Sequence, residues 1–132
     1  MSGFRLQIVT PDGSLYDGEA EAIRLRTTEG YVSIRSGHAD YVAALDIGEV
    51  TVTCDGEARS AACGGGFLSV EKGAVRLVAT TFEYADRIDV ERAKLAEQRA
   101  RERMEAAQDA KELALAKVKL ARALNRLRIA EQ

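Results

Sequence analysis

Seven arginines crowd the last third of the chain: Arg92, Arg99, Arg101, Arg103, Arg122, Arg126 and Arg128. They follow the segment Ile88-Asp89-Val90-Glu91-Arg92-Ala93. A guanidinium is planar, permanently charged and forked, so a cluster of them suits phosphate or carboxylate oxygens. At helical spacing Arg92, Arg99 and Arg103 share one flank, with Asp89 a turn before Arg92. If the chain doubles back near 108–111, Arg92 comes about level with Arg126, and Arg99 with about Arg122. Four like charges in one region oppose closure and favour an anion between them, either a polyphosphate or an acidic protein segment. The same residues also fit a plain solvated face, because arginine forms helix well and Glu91, Glu97, Glu102 and Glu105 stand three or four residues away. Spacing alone leaves both readings open.

The rest of the composition narrows the partners. The chain has 132 residues and a formal net charge of -2, so it lacks the strongly basic footprint of a nucleic-acid binder. No stretch approaches the roughly 18 apolar residues of a membrane span, and the start MSGFRLQIV is not laid out as a signal peptide. A soluble, cytosolic chain without direct membrane insertion is expected. Cys54 and Cys63 lie on either side of an Asp-Gly-Glu turn, out of register with each other, and are expected to be reduced. One histidine and two cysteines without metal-ligand spacing predict no metal site.

Two stretches with different periods must position these groups. From Phe4 to Thr80, runs such as FRLQIVT, AEAIRLRT, YVSIR, EVTVTC, ARSAAC, FLSVE and AVRLVAT alternate apolar and polar residues between turn signals. Each run has one apolar face, and faces of that kind are buried when two sheets pack together. An antiparallel β-sandwich of roughly eight or more strands is predicted over 1–86. Gly64 to Gly66 is expected to make a bulge or tight crossing rather than a phosphate loop, since no helix follows.

From Ile88 onward there is no glycine or proline, and Ala, Leu, Glu, Lys and Arg dominate. This predicts an antiparallel two-helix hairpin over 87–132, capped by Asp89 and broken near Gln108 to Lys111. Val90, Ala93, Ala96, Ala100, Met104 and Ala107 form one face. Leu113, Lys117, Leu120, Leu124 and Leu127 form the opposing seam, alanine against leucine. Leu115, Val118 and Ile129, with Arg122, make a second stripe that needs another surface, so the hairpin is expected to be marginal alone and able to leave one surface for another.

Several segments in this order resemble the epsilon subunit of the bacterial rotary ATP synthase: IVTPDG, EGYVSIRSGHA, GGGFLSV, and IDVERA followed by LNRLRIAE. The resemblance spans essentially the whole length and implies the same sandwich and hairpin. Some members of that family bind ATP on the folded hairpin through a motif I/L-D-x-x-R-A, present here as Ile88, Asp89, Arg92 and Ala93. By resemblance Glu83, Arg99, Arg122 and Arg126 belong to the same site. The arginines would hold phosphates, while Asp89 and Glu83 orient Arg92 or contact the nucleotide. ATP would be a regulatory ligand, with the role of Mg²⁺ left open.

The resemblance also implies a non-catalytic subunit on the cytoplasmic side of the bacterial membrane, peripheral to it. The sandwich would dock on the gamma subunit and the membrane rotor ring, through Glu29, Gly30 and Tyr31 towards the ring and near His38 towards gamma. The hairpin would either fold down, holding ATP, or extend to acidic segments of the alpha and beta subunits in the catalytic head and block hydrolysis. Ser36 and Asp40 stand where the family usually has prolines, which implies a less rigid loop.

Two other readings stay open. The chain could be a coupling and inhibitory subunit without useful ATP binding, its arginines serving acidic partners only. An enzyme would need His38 as base with Cys63 or a serine as nucleophile, and nothing in the sequence places them together. A crystal dimer formed by exchanging the marginal hairpin is also compatible with the sequence.

Overall fold

Strand alternation and helix composition divide the chain where the period changes. A computed structural model describes residues 3–131, and it separates into two compact units, Met1–Tyr84 and Ala85–Gln132.

The first unit is one hydrogen-bonded ladder folded on itself. Its strands are β1 (Phe4–Thr10), β2 (Gly13–Ala20), β3 (Ala22–Thr27), β4 (Gly30–Arg35), β5 (Tyr41–Cys54), β6 (Glu57–Glu71), β7 (Ala74–Ala79) and β8 (Phe82–Tyr84). They run in the order β2-β1-β7-β6-β5-β3-β4, with β8 on the remaining part of β6. Among the described residues every pairing is antiparallel except β1 with β7, which is parallel.

The long strands β5 and β6 serve both layers. The first part of β5 and the last part of β6 pair near β7, whereas the other ends pair with β3 and β8. The change falls at Gly64 to Gly66. There Gly64 donates its amide to the Thr81 carbonyl at 2.9 Å, and the Gly65 carbonyl accepts from Thr80 at 2.9 Å. A side chain on Gly66, at φ +145°, would overlap the Val78 carbonyl oxygen. The triple glycine is therefore a tight crossing.

Inward residues of both layers form one core, including Leu6, Ile8, Ile23, Leu25, Ile34, Val50, Leu68 and Leu77. The turn before β6 has Asp55 and Gly56 at φ 51° and 75°, the left-handed pair of a tight hairpin. Neither cysteine is in a disulfide: Cys63 is buried and Cys54 is half-buried.

The second unit begins with a 3₁₀ turn at Ala85–Arg87 and continues as α1 (Val90–Ala106) and α2 (Ala110–Ala130). Within it, α1 packs on α2 and the turn packs on α2. Each helix is started by an aspartate. Asp89 accepts the Arg92 amide at 3.0 Å, and Asp109 accepts the Glu112 amide at 2.8 Å.

The seam of the hairpin differs from the expected one. Ala93 and Ala100 are buried on α1, with Val90 exposed; on α2 the buried residues are Ala116, Ala123, Asn125 and Ile129, while Lys117 and Leu124 are exposed, and of the expected second stripe Leu115 and Val118 are exposed but Ile129 is not. The stripe on α2 runs Leu113, Ala116, Leu120, Ala123, Leu127, at alternating steps of three and four. Alanines thus line both sides, which lets the helix axes approach closely.

Candidate functional site

The Asp89 carboxylate fixes the first turn of α1 and so places Arg92 at its third residue. Ile88 and Ala93 are buried beside exposed Asp89 and Arg92. Apolar residues of the Ile-Asp-x-x-Arg-Ala segment thereby anchor it, and its charged residues face outward.

The arginines separate into two kinds. Arg101 reaches Glu97 at 2.9 and 3.0 Å, an exposed pair one turn apart, and this is the solvated-face pattern. Among the described residues the guanidinium groups of Arg92, Arg99 and Arg103 meet no carboxylate. On α2, Arg122 and Arg126 are half-buried. The Arg122 Nε is closed off from solvent and has no hydrogen-bond partner among the described residues, whereas Arg126 is engaged. Arg128 donates to the Asn125 side-chain oxygen at 2.6 Å.

The connection from Ala107 to Asp109 sets the helix register. Ala93 stands about opposite Ala123 and Ala100 about opposite Ala116, which puts Arg92 about level with Leu124 and roughly 3 Å along the axis from Arg126. Arg99 falls about level with Lys117, roughly 7.5 Å along the axis from Arg122. The hairpin therefore brings Arg92 towards Arg126 more closely than Arg99 towards Arg122. Glu83 is the middle residue of β8 in the other unit, paired with Ala62 and itself engaged.

The residues expected to dock on partners lie at the two ends of β4. Glu29 lies in the turn between β3 and β4 and Gly30 opens β4; there the Thr27 hydroxyl accepts the Glu29 amide at 3.1 Å and donates to the Gly30 carbonyl at 2.7 Å. Tyr31 is exposed, and the Arg24 guanidinium lies 4.0 Å from its ring centre. His38 follows the far end of β4, about 17 Å away along the strand. Its Nδ1 donates to the Ala39 carbonyl at 2.7 Å, and its ring meets Tyr41 edge-on. These are two separate surfaces. The loop is tied where the prolines are missing, since Asp40 accepts the Lys72 amide at 2.9 Å.

Cys63 gives no support to a nucleophile. It is 2% exposed, donates weakly to the Gly65 carbonyl, and burial pushes its thiol above its ordinary range. Among the described residues no three His, Cys, Asp or Glu side chains are grouped to hold a metal ion.

Sequence reasoning missed other features. Val42, Phe67 and Val78 are exposed on one outer face of the sandwich, at 73%, 61% and 41%, with Phe67 paired between Ala44 and Val78. Alternation within FLSVE and AVRLVAT contained the signal, since Phe67 and Val78 take the positions opposite to the core residues Leu68 and Leu77. Asn125 is 5% exposed and lies between Arg122 and Arg126, but no motif marks it.

Comparison with known proteins agrees with this architecture. The family description "ATP synthase, Delta/Epsilon chain, beta-sandwich domain" matches residues 3–85, and "ATP synthase, Delta/Epsilon chain, long alpha-helix domain" matches 86–131. The chain is 45% identical over 132 residues to the ATP synthase epsilon chain of Staphylococcus haemolyticus, covering 99% of this chain and 98% of that one. It is 40% identical over 130 residues to the ATP synthase epsilon chain of Bacillus velezensis, covering 98% of each. The fold is also that of a chain in the Euglena gracilis mitochondrial ATP synthase, with a TM-score of 0.82, 23% identity, and coverage of 98% and 82%. No helix among the described residues is long and apolar enough to cross a membrane. Sandwich, capped hairpin and near-complete matches along the length place the chain in the ATP synthase delta/epsilon family, as a non-catalytic epsilon-type subunit of the bacterial F-type enzyme.

Proposed function

We propose that this subunit turns with the central stalk and that its hairpin is an ATP-controlled brake on hydrolysis. The observation that carries the sensor is the Arg122 Nε, sealed from solvent without an acceptor among the described residues, beside the guanidinium groups of Arg92 and Arg99, which meet no carboxylate there. Phosphate oxygens would supply that acceptor and relieve the repulsion between Arg92 and its neighbours on α2. The offset of Arg99 from Arg122 suits an extended polyphosphate rather than a single phosphate. Arg92, Arg99, Arg122 and Arg126 hold the phosphates in this reading, Ile88 and Ala93 shape the apolar floor, and Asp89 orients the turn.

ATP that binds only the folded-down hairpin stabilises that state by mass action, and low ATP releases it. The extended hairpin then meets acidic segments of the catalytic head. The sandwich docks on the gamma subunit and rotor ring, for which Glu29 to Tyr31 and the His38 end of β4 offer two surfaces. The exposed row of Val42, Phe67 and Val78 supports a protein partner on this unit. The site of action is the cytoplasmic face of the bacterial membrane.

A second reading keeps the brake without the nucleotide. It is favoured by Leu95, Leu115, Val118 and Leu124, which are 40 to 56% exposed on the hairpin and suit a protein groove flanked by arginines.

Calorimetric titration of ATP into the isolated chain separates the two. Saturable binding should weaken by about 10- to 100-fold in Arg92→Ala and in Arg126→Ala, the loss of a charge-assisted hydrogen bond. A flat titration at millimolar ATP leaves the arginines to acidic partners.

A further inference from the structure

Three exposed arginines share one outer face of β3 and β4. The register sets Arg26 opposite Tyr31, Arg24 opposite Ser33 and Ala22 opposite Arg35. Residues opposite each other share a face, so these side chains point away from the core that Ile23, Leu25 and Ile34 fill. On β5, Thr51 and Thr53 continue the same face, opposite Arg24 and Ala22. Sheet geometry spaces the cations at roughly 7 Å from Arg24 to Arg26 along the strand and about 8 Å on the diagonal to Arg35.

Two of the three are held in place. The Arg24 guanidinium lies 4.0 Å from the Tyr31 ring centre. The stem of Arg26 crosses β5 at Gly48, where an added Cβ would stand 3.0 Å from the Arg26 Cβ and 3.1 Å from its Cδ; glycine clears its path. Their charge is poorly answered. Arg26 reaches Asp46 at 3.7 Å, a long and exposed pair, and among the described residues Arg24 and Arg35 are in no ion pair. Glu49 shares the face by alternation on β5 but is half-buried, and Glu29 lies in the turn beyond Tyr31. A cationic row of this kind stands out in a chain of formal net charge -2.

We propose that the outer face of β3 and β4 docks an acidic protein segment, whose carboxylates Arg24 and Arg35 take. The face lies between the β3–β4 turn and the His38 end of β4, so the proposal deepens, and rests on, the reading that the sandwich docks within the stalk. A guanidinium fork suits a carboxylate, and side chains already held lose little freedom when the partner arrives. Ser33, Thr51 and Thr53 set hydroxyls among the cations, which suits a hydrogen-bonding protein segment. A lipid surface would instead need apolar side chains to bury, and the one aromatic here, Tyr31, is stacked with Arg24.

The test is binding of the full chain to the bacterial enzyme stripped of this subunit, read at about 0.05 and about 0.5 M salt. Arg24→Gln combined with Arg35→Gln should weaken binding by about 2- to 30-fold at the lower salt, the worth of two exposed charge pairs, and flatten the salt dependence. Arg24→Lys combined with Arg35→Lys should recover part of the loss. Arg5→Gln, whose arginine is already paired with Asp17 at 2.9 Å on the other layer, should change neither quantity. Equal affinity and equal salt dependence in the double glutamine variant overturn the acidic contact and leave the docking reading standing. No binding by the unaltered chain overturns both. Phosphatidylglycerol vesicles are the second probe. If the unaltered chain binds them and the double glutamine variant does not, while binding to the enzyme is unchanged, the face belongs to lipid and the proposal fails.

Discussion

An arginine Nε without solvent or acceptor costs on the order of 1–3 kcal/mol relative to a satisfied one, and Arg122 is in that condition. Helix propensity does not require it, since leucine or methionine would serve α2 as well. A group that weakens the empty hairpin is explicable if a bound anion satisfies it. Arg122→Met should therefore leave the nucleotide-free chain as stable or raise it by about 1 kcal/mol, and should abolish the rise in melting temperature that ATP gives the unaltered chain. Thermal melts with and without millimolar ATP check both halves, and a clear destabilisation without ATP would mean that Arg122 is structural. The Asp89 side chain has a different part. It caps α1 through the Arg92 amide, so replacing it would disturb helix and site together, and Arg92 is the cleaner probe.

At the level of elements, close approach of two helices defines the hairpin. Ala93, Ala100, Ala116 and Ala123 are all buried, and a leucine at Ala123 has no room without pushing the axes apart. Ala123→Leu should destabilise the hairpin by about 1–3 kcal/mol, seen as an earlier loss of helical circular dichroism on heating. A hairpin of unchanged or higher stability would contradict the alanine seam.

Helix limits, the Asp89 cap and most strands were readable because period and composition are local. The seam was not, because large aliphatic residues drew the assignment: Leu124 was placed in the interface, yet it is 40% exposed and its neighbour Ala123 is fully buried. Burial in a hairpin follows the three-four spacing, and alanine is the residue type that size-weighted reading overlooks. β2 escaped for a similar reason. Its sequence GSLYDGEA reads as turn, and it is a strand because β1 supplies the ladder. The arginines of the candidate site were identifiable by residue type and family motif. That the Arg122 Nε has no acceptor among the described residues could be seen only in three dimensions.

For the whole molecule, the division into Met1–Tyr84 and Ala85–Gln132 matches the proposed function, in which partner docking and regulation belong to different parts of one short chain. The sandwich carries a large shared core and the two ends of β4 proposed for docking, and the hairpin carries a thin alanine seam with exposed leucines and arginines. A robust unit joined to a marginal one is the arrangement a switch needs, since a ligand shifts an equilibrium only by its difference in affinity for the two states. The most direct test is ATP hydrolysis by the reconstituted bacterial enzyme carrying either the full subunit or one truncated after Asp86. The account predicts that the full subunit gives slow, lagging hydrolysis at low ATP, that millimolar ATP shortens the lag, and that the truncated subunit shows no lag at any concentration. Equal rates and equal lags with both subunits, at low and high ATP alike, would contradict a brake in the hairpin.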